Sequence, residues 1–258
     1  MKWGATLRDS LGARKQTMPT PKKKKIKLAI FDIDGTIFRS SLLTELVSRF
    51  VEGGIFKAAA KKEIEVAYLA WRNRKGNYEN YINAVIRVHL KYLPGVSAAA
   101  AERIAGQIIT REKDRVYRFT RDLLLRLAKQ GYYLIAISGS PDYIVKKFTT
   151  NFGFDAAFGA VFEVKRGRFT GRVLKDNSWH DKSIVLRQFL AEKGIAANFK
   201  KSLAVGDTPS DIPILKLVGT PIAFNPNHEL AERARREKWR IVVERKDVIY
   251  GLNDLSFL

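Results

Sequence analysis

An apolar run near the start of the chain breaks into two carboxylates two residues apart: Ile30-Phe31-Asp32-Ile33-Asp34-Gly35-Thr36. A strand entering a core does not end in two acids unless something cationic or reactive meets them, because unpaired buried charge is costly. Strand geometry places residues i and i+2 on one side, roughly 6–7 Å apart. Asp32 and Asp34 can therefore point at one centre, such as a metal ion and the phosphate it holds.

The pattern around this stretch sets the fold class. Residues 26–33 form a strand buried on both faces. From Ser40 to about Phe119 the apolar spacing is helical. Leu42, Leu46, Val47 and Phe50 make one stripe before Gly53-Gly54, and Ile64, Tyr68 and Trp71 make another. Asn77 and Ser97 are candidate caps for two further helices, with Pro94-Gly95 between them. Strands and helices then alternate. The spacing predicts a helix from a cap at Thr120 to Lys129, a strand over Tyr132–Ile137, and a helix from Pro141 to Phe152 with proline at its first position. A hairpin follows over Phe158–Val164 and Arg168–Leu174, then a helix from His180 to Lys193. Short apolar strands at Ser202–Val205, Ile222–Phe224 and Arg240–Val243 complete the set. The expected class is α/β: a Rossmann-like, mostly parallel sheet flanked by helices, with an inserted α-helical cap. The expected organisation is a basic tail over 1–25, a core over 26–39 and 119–258, and a helical cap over 40–118.

Composition narrows the partners. The net charge is +21, and residues 1–27 hold nine Lys/Arg against one Asp. Such a field favours anionic partners, whether phosphorylated metabolites, nucleic acid or acidic lipid, and it also serves plain solubility. Trp3, Leu7 and Leu11 trace a weak amphipathic helix, and Pro19-Thr20-Pro21 with four lysines reads as a linker. No apolar run approaches the roughly 18–20 residues that span a bilayer. There is no cysteine, which is compatible with a reducing interior. The expected location is cytoplasmic.

Three more polar clusters follow core-like strands: Ser138-Gly139-Ser140-Pro141, the Lys182 region, and Gly206-Asp207-Thr208-Pro209-Ser210-Asp211. Ligands of open parallel sheets sit beyond the C-terminal strand ends, so Asp32, Asp34, Ser138 and Asp207 are expected to meet. Asp32 can attack phosphorus as a nucleophile. A hard cation such as Mg²⁺ offsets the repulsion between that anion and its ester, with Asp207 as a second ligand. Asp34 can protonate the leaving oxygen and later activate water. Ser138 offers a hydroxyl, and Gly139 lets the backbone approach an anion closely. Lys182 opposes its helix dipole, which calls for a nearby anion, and Asp211 can hold its ammonium. A calcium loop would need Gly and Glu where Ile37 and Leu43 stand. His89, His180 and His228 show no ligand spacing and read as structural or surface residues; Tyr68 and Trp71 read as cap core.

On these residues the chain resembles the haloacid dehalogenase superfamily of phosphohydrolases. Asp32-Ile33-Asp34-Gly35-Thr36 is similar to its first motif, Ser138 to its second, Lys182 to its third, and Asp207 with Asp211 to its fourth, across about residues 26–250. The helical insertion and Gly167-Arg168-Phe169-Thr170-Gly171-Arg172 resemble the phosphoserine-phosphatase-like branch. The resemblance implies Asp32 as nucleophile and Asp34 as general acid/base. It implies Mg²⁺ held by Asp32, the backbone carbonyl of Asp34, and Asp207, and a phosphoryl group held by Ser138 and Lys182. Ser41 stands where that branch carries a glutamate for the substrate amine, so the reaction carries over and the substrate does not. Specificity is expected in the cap, with Arg72 or Arg74 as contributors. The other functions in view are a phosphotransferase of the same fold, and a basic protein that binds nucleic acid or membrane on this scaffold.

Overall fold

The computed structural model describes residues 25–175 and 181–252. Strand β1 (Leu28–Phe31) leads through the acidic turn into four helices, α1 (Leu42–Glu52), α2 (Ala58–Arg72), α3 (Tyr78–Tyr92) and α4 (Ala98–Glu112). Then come α5 (Arg118–Lys129), β2 (Tyr133–Pro141), α6 (Asp142–Thr149), β3 (Ala156–Lys165) and β4 (Arg168–Lys175). The described residues finish with α7 (Lys182–Glu192), β5 (Leu203–Gly206), α8 (Ile212–Leu215), β6 (Thr220–Phe224), α9 (His228–Arg236), β7 (Arg240–Arg245) and β8 (Val248–Gly251). The sheet order is β4-β3-β2-β1-β5-β6-β7-β8. The six central strands run parallel, and β4 and β8 pair antiparallel at the two edges. The α/β class and the mostly parallel sheet are as the alternation required. Among the described residues, no helix is long and apolar enough to cross a membrane.

Period two in the strands divides the core between the faces. Ala29, Phe31, Leu134, Ala136, Leu203 and Val205 pack with α1 to α6. Leu28, Ile30, Ile135, Ile137 and Ala204 pack with α7, α8 and α9. The helices of residues 42–112 share the first cluster with the sheet face rather than building a separate core. Their segment is closed at its base by a bridge between Phe38 and Val116, with Arg39 N–H donating to the Arg115 carbonyl at 3.0 Å. At the far end it is braced by the hairpin. Gly95 N–H donates to the Phe169 carbonyl (2.8 Å), and Phe169 N–H donates to that of Val96 (3.0 Å). In the hairpin turn, Arg166 and Gly167 both have positive φ (49° and 75°), the geometry of a two-residue primed turn.

Short-range caps lie where the polar residues indicated. Asn77 Oδ1 accepts from Asn80 N–H (2.8 Å), and Ser97 Oγ from Ala100 N–H (3.4 Å). Three local expectations change. Helix α5 begins at Arg118 rather than at a Thr120 cap, because the chain turns helical directly after the Val116 bridge. The Thr120 hydroxyl instead donates to the Thr36 carbonyl (2.8 Å), tying α5 to the acidic turn. Strand β2 runs through a bulge to Pro141, so the proline precedes α6 instead of opening it. Strand β8 was not expected at all. The expected start of the helix at His180 and the basic tail up to Lys24 lie outside the described residues.

His89 is 2% exposed, with its ring against Phe56 and Phe162 and its Nε2 without a partner. Burial pulls its pKa down to about 4. The folded state therefore favours the neutral ring, and stability present above the unfolded value near 6.5 is lost as pH falls toward 4. The loss reaches about 3 kcal/mol when complete. His89→Phe is expected to flatten the fall in melting temperature between pH 6.5 and 4, read by circular dichroism; an unchanged slope contradicts a neutral buried His89.

Candidate active site

The acids and Ser138 sit at the C-terminal ends of central strands or on the turns beyond them. Asp32 follows β1, Ser138 lies in β2, and Asp207 follows β5. Parallel pairing of β1 with both β2 and β5 brings them together, although Asp32 and Asp207 are far apart in sequence. Lys182 opens α7, behind the Asp181 cap. The carboxylates of Asp32, Asp207 and Asp211 lie within 4.8 Å of one another.

Lys182 organises the centre. Its Nζ donates to Asp32 Oδ1 (2.5 Å) and Asp211 Oδ1 (2.6 Å), and the residue is 2% exposed. Burial alone would pull its pKa down, but Asp211 and Asp32 more than offset this and hold the ammonium above its ordinary range. Asp211 has neither oxygen free: Oδ2 accepts from the N–H groups of Asp207 (3.0 Å) and Thr208 (3.1 Å). It holds the lysine and the turn rather than a ligand.

Two glycines permit these approaches. Gly35 has φ +78°, and a Cβ there would sit 2.1 Å from Asp207 Oδ2. At Gly206 a Cβ would meet Asp211 Cγ at 2.3 Å. Side chains at either position would push the acids apart.

Asp34 is held separately. Its Oδ1 accepts from Leu42 N–H (2.5 Å), and its Oδ2 from the hydroxyls of Ser138 (2.6 Å) and Ser140 (2.9 Å). Burial raises its pKa, and the three donors oppose that shift. Ser138 is fully buried and also accepts from Ser140 N–H (2.9 Å), so its contacts are with Asp34 and the turn. Gly139 and Ser140 line the open cavity instead. Ser140 was not singled out from the sequence. Its Oγ also accepts from Leu43 N–H (3.0 Å), joining the Ser138 turn to α1 across the site.

The acids fit a hard cation. Asp32 Oδ2 is buried with no partner, an orphan that an oxygen-seeking ion would satisfy. Without such an ion, burial pushes Asp32 up to about 7, with Lys182 opposing and Asp211 and Asp34 adding to the rise. Asp207 is raised well above its ordinary value by burial, then by Asp32 and Asp211. Thr36 Oγ1 donates to its Oδ1 (3.3 Å).

A cavity of about 360 Å³ opens on Asp32, Asp34, Lys182 and Asp207. Its other walls are Ser41 and Leu43 of the α1 entrance, Tyr78, Glu79, Ile82, Asn83 and Ile86 of α3, and Thr208, Pro209, Ser210 and Asn227. Ser41 caps α1, accepting from Thr44 N–H (3.3 Å). Arg72 and Arg74, expected near the substrate, are exposed and do not line this cavity. Trp71 stacks on Tyr81 (5.5 Å, 3°), and with Tyr68 it walls a neighbouring cavity that shares Tyr78 and Asp207.

Known proteins are similar to the chain across this same span. A family model described as haloacid dehalogenase-like hydrolase matches residues 29–216. The phosphoserine phosphatase of Methanocaldococcus jannaschii is 28% identical over 230 residues, covering 88% of this chain and 96% of that protein. The phosphoserine phosphatase of Archaeoglobus fulgidus is 27% identical over 211 residues, which span 81% of this chain and 55% of that longer protein. Among solved structures, a phospho-aspartyl intermediate analogue of phosphoserine phosphatase superposes with a TM-score of 0.57 at 26% identity, over 87% of this chain and 96% of the other.

Proposed function

The chain belongs to the haloacid dehalogenase-like hydrolases, as a phosphatase of the phosphoserine-phosphatase-like kind, and from that premise we propose that it hydrolyses a small phosphomonoester through an aspartyl-phosphate on Asp32. One observation carries the reading. Asp32 lines the cavity with one oxygen pinned by Lys182 and the other buried and unpartnered. Such a carboxylate is oriented, poorly solvated and available.

In the first step an Asp32 carboxylate oxygen bonds to phosphorus while the ester P–O bond breaks. The Asp34 carboxyl gives its proton to the departing alkoxide. Its raised pKa suits it to carry that proton. In the second step water attacks phosphorus, Asp34 takes the water's proton, and the acyl-phosphate P–O bond breaks to restore the Asp32 carboxylate. The sum is ester plus water giving alcohol plus phosphate. Lys182 and the Gly139 backbone face the phosphoryl group, Ser138 and Ser140 orient Asp34, and Asp211 orients Lys182. Asp32, the Asp34 carbonyl and Asp207 would hold Mg²⁺. When bound, it supplies positive charge that lowers repulsion between the nucleophile and a dianionic ester. Residues 40–118 serve as a cap over the cavity.

Phosphate release from a panel of phosphate esters, with Mg²⁺ and then with excess EDTA, tests this reading. Turnover is expected only with the metal. Equal release in EDTA would remove the cation from the proposal, and no release from any ester would remove the phosphatase.

A further inference from the structure

The roof of the catalytic cavity is a single face of one helix. Tyr78, Glu79, Ile82, Asn83 and Ile86 line the cavity at positions i, i+1, i+4, i+5 and i+8 of α3, which is one side of a 3.6-residue helix. The opposite side, including Tyr81, Val85 and Val88, packs into the core. On the lining face, Tyr78, Ile82 and Ile86 are partly buried against the same core and also border the cavity, where they meet whatever enters it.

Its chemistry is selective. Ile82 and Ile86 are apolar, while Glu79 brings a carboxylate that is exposed and in no ion pair among the described residues. Lys182 is the sole cation lining the cavity among those residues, and its ammonium already bridges Asp32 and Asp211. Arg87, the next cation along α3, is exposed and outside the lining. A carboxylate on the leaving alcohol would find no free cation there and would face Glu79. An ammonium would find an unpaired carboxylate beside an apolar wall, and opposite charges lining one cavity attract while like charges repel.

We propose that the alcohol released by this enzyme is an amino alcohol with an apolar body and no carboxylate, its ammonium met by Glu79 and its hydrocarbon covered by Ile82 and Ile86. This substrate class rests on the phosphatase reading above and goes beyond it.

Four esters and two variants test it, using the full chain with Mg²⁺. O-phosphoserine and O-phosphoethanolamine differ only by the carboxylate. Phenylalaninol phosphate adds an apolar body to the second, and ethyl phosphate removes the amine. The expected kcat/KM for phosphoethanolamine exceeds that for phosphoserine by about tenfold or more, and phenylalaninol phosphate is better again by about tenfold. In Glu79→Gln the ratio of phosphoethanolamine to ethyl phosphate falls about tenfold through KM, whereas purely structural damage lowers both esters alike. In Glu79→Lys the ratio of phosphoserine to phosphoethanolamine rises at least about tenfold. Phosphoserine matching or exceeding phosphoethanolamine overturns the proposal, as do ratios unchanged by Glu79→Gln. Turnover of ethyl phosphate without preference for the amines sinks the substrate class alone. Absence of turnover with all four sinks the phosphatase reading with it.

Discussion

Asp32→Asn is expected to lower kcat by about 10⁴-fold or more while leaving the protein folded. The amide keeps the shape of the carboxylate but has no anionic oxygen to form an acyl-phosphate. The fold tolerates the change because the charge removed is one it holds at a cost, with burial raising the Asp32 pKa to about 7. Lys182 keeps Asp211 at 2.6 Å, so the cation is not stranded. The melting temperature in metal-free buffer is therefore expected within a few degrees of wild type. The rise in melting temperature caused by Mg²⁺ is expected to shrink, because the unpartnered Asp32 oxygen is the ligand proposed for it. Phosphate release by the purified variant above about one per cent of wild type would remove Asp32 as the nucleophile.

Lys182→Met is the second large effect, and it strikes stability as well as rate. Methionine keeps most of the apolar stem and loses the ammonium. Asp32 and Asp211 are then left buried without their shared cation, beside Asp207. Breaking a buried pair from one side costs about 3–5 kcal/mol. The sign with pH is definite. Without the lysine, which opposes the burial-driven rise at Asp32 and Asp207, those two carboxyls bind protons more tightly in the folded state than in the unfolded one. Stability therefore falls as pH rises above about 4, the ordinary carboxyl range. Chemical denaturation at pH 5 and pH 8 reads this directly, with the larger deficit expected at pH 8. Adding Asp211→Asn should restore part of the stability, because the amide oxygen can still accept from the Asp207 and Thr208 N–H groups. Turnover should not return, since the cation proposed to hold the phosphoryl group is gone. A single variant as stable as wild type at pH 8 would mean that the three acids are not held together as described.

Local order was readable in proportion to how local its causes are. Asn77, Ser97 and Gly53 mark helix ends because capping bonds reach only three or four residues. The Thr120 cap failed for the opposite reason. The N-terminus of α5 is capped from β7: Glu244 accepts from the N–H groups of Arg118 (3.1 Å) and Phe119 (2.8 Å). No pattern near residue 118 encodes a carboxylate more than a hundred positions away. Likewise Ser140 reads as a turn residue in isolation, and only the fold shows it joining Asp34 to the first turn of α1.

From residue order alone came the acids after β1, their glycine, and the alternation that demands a parallel sheet. Strand periodicity and the cost of burying charge act on neighbouring residues and need no knowledge of the rest. The packed chain decided which groups remain available. It tied up Asp211 and Ser138, left one Asp32 oxygen without a partner, and turned the 78–86 face of α3 toward the cavity. Availability depends on what approaches from distant segments, and only the packed structure brings those segments together.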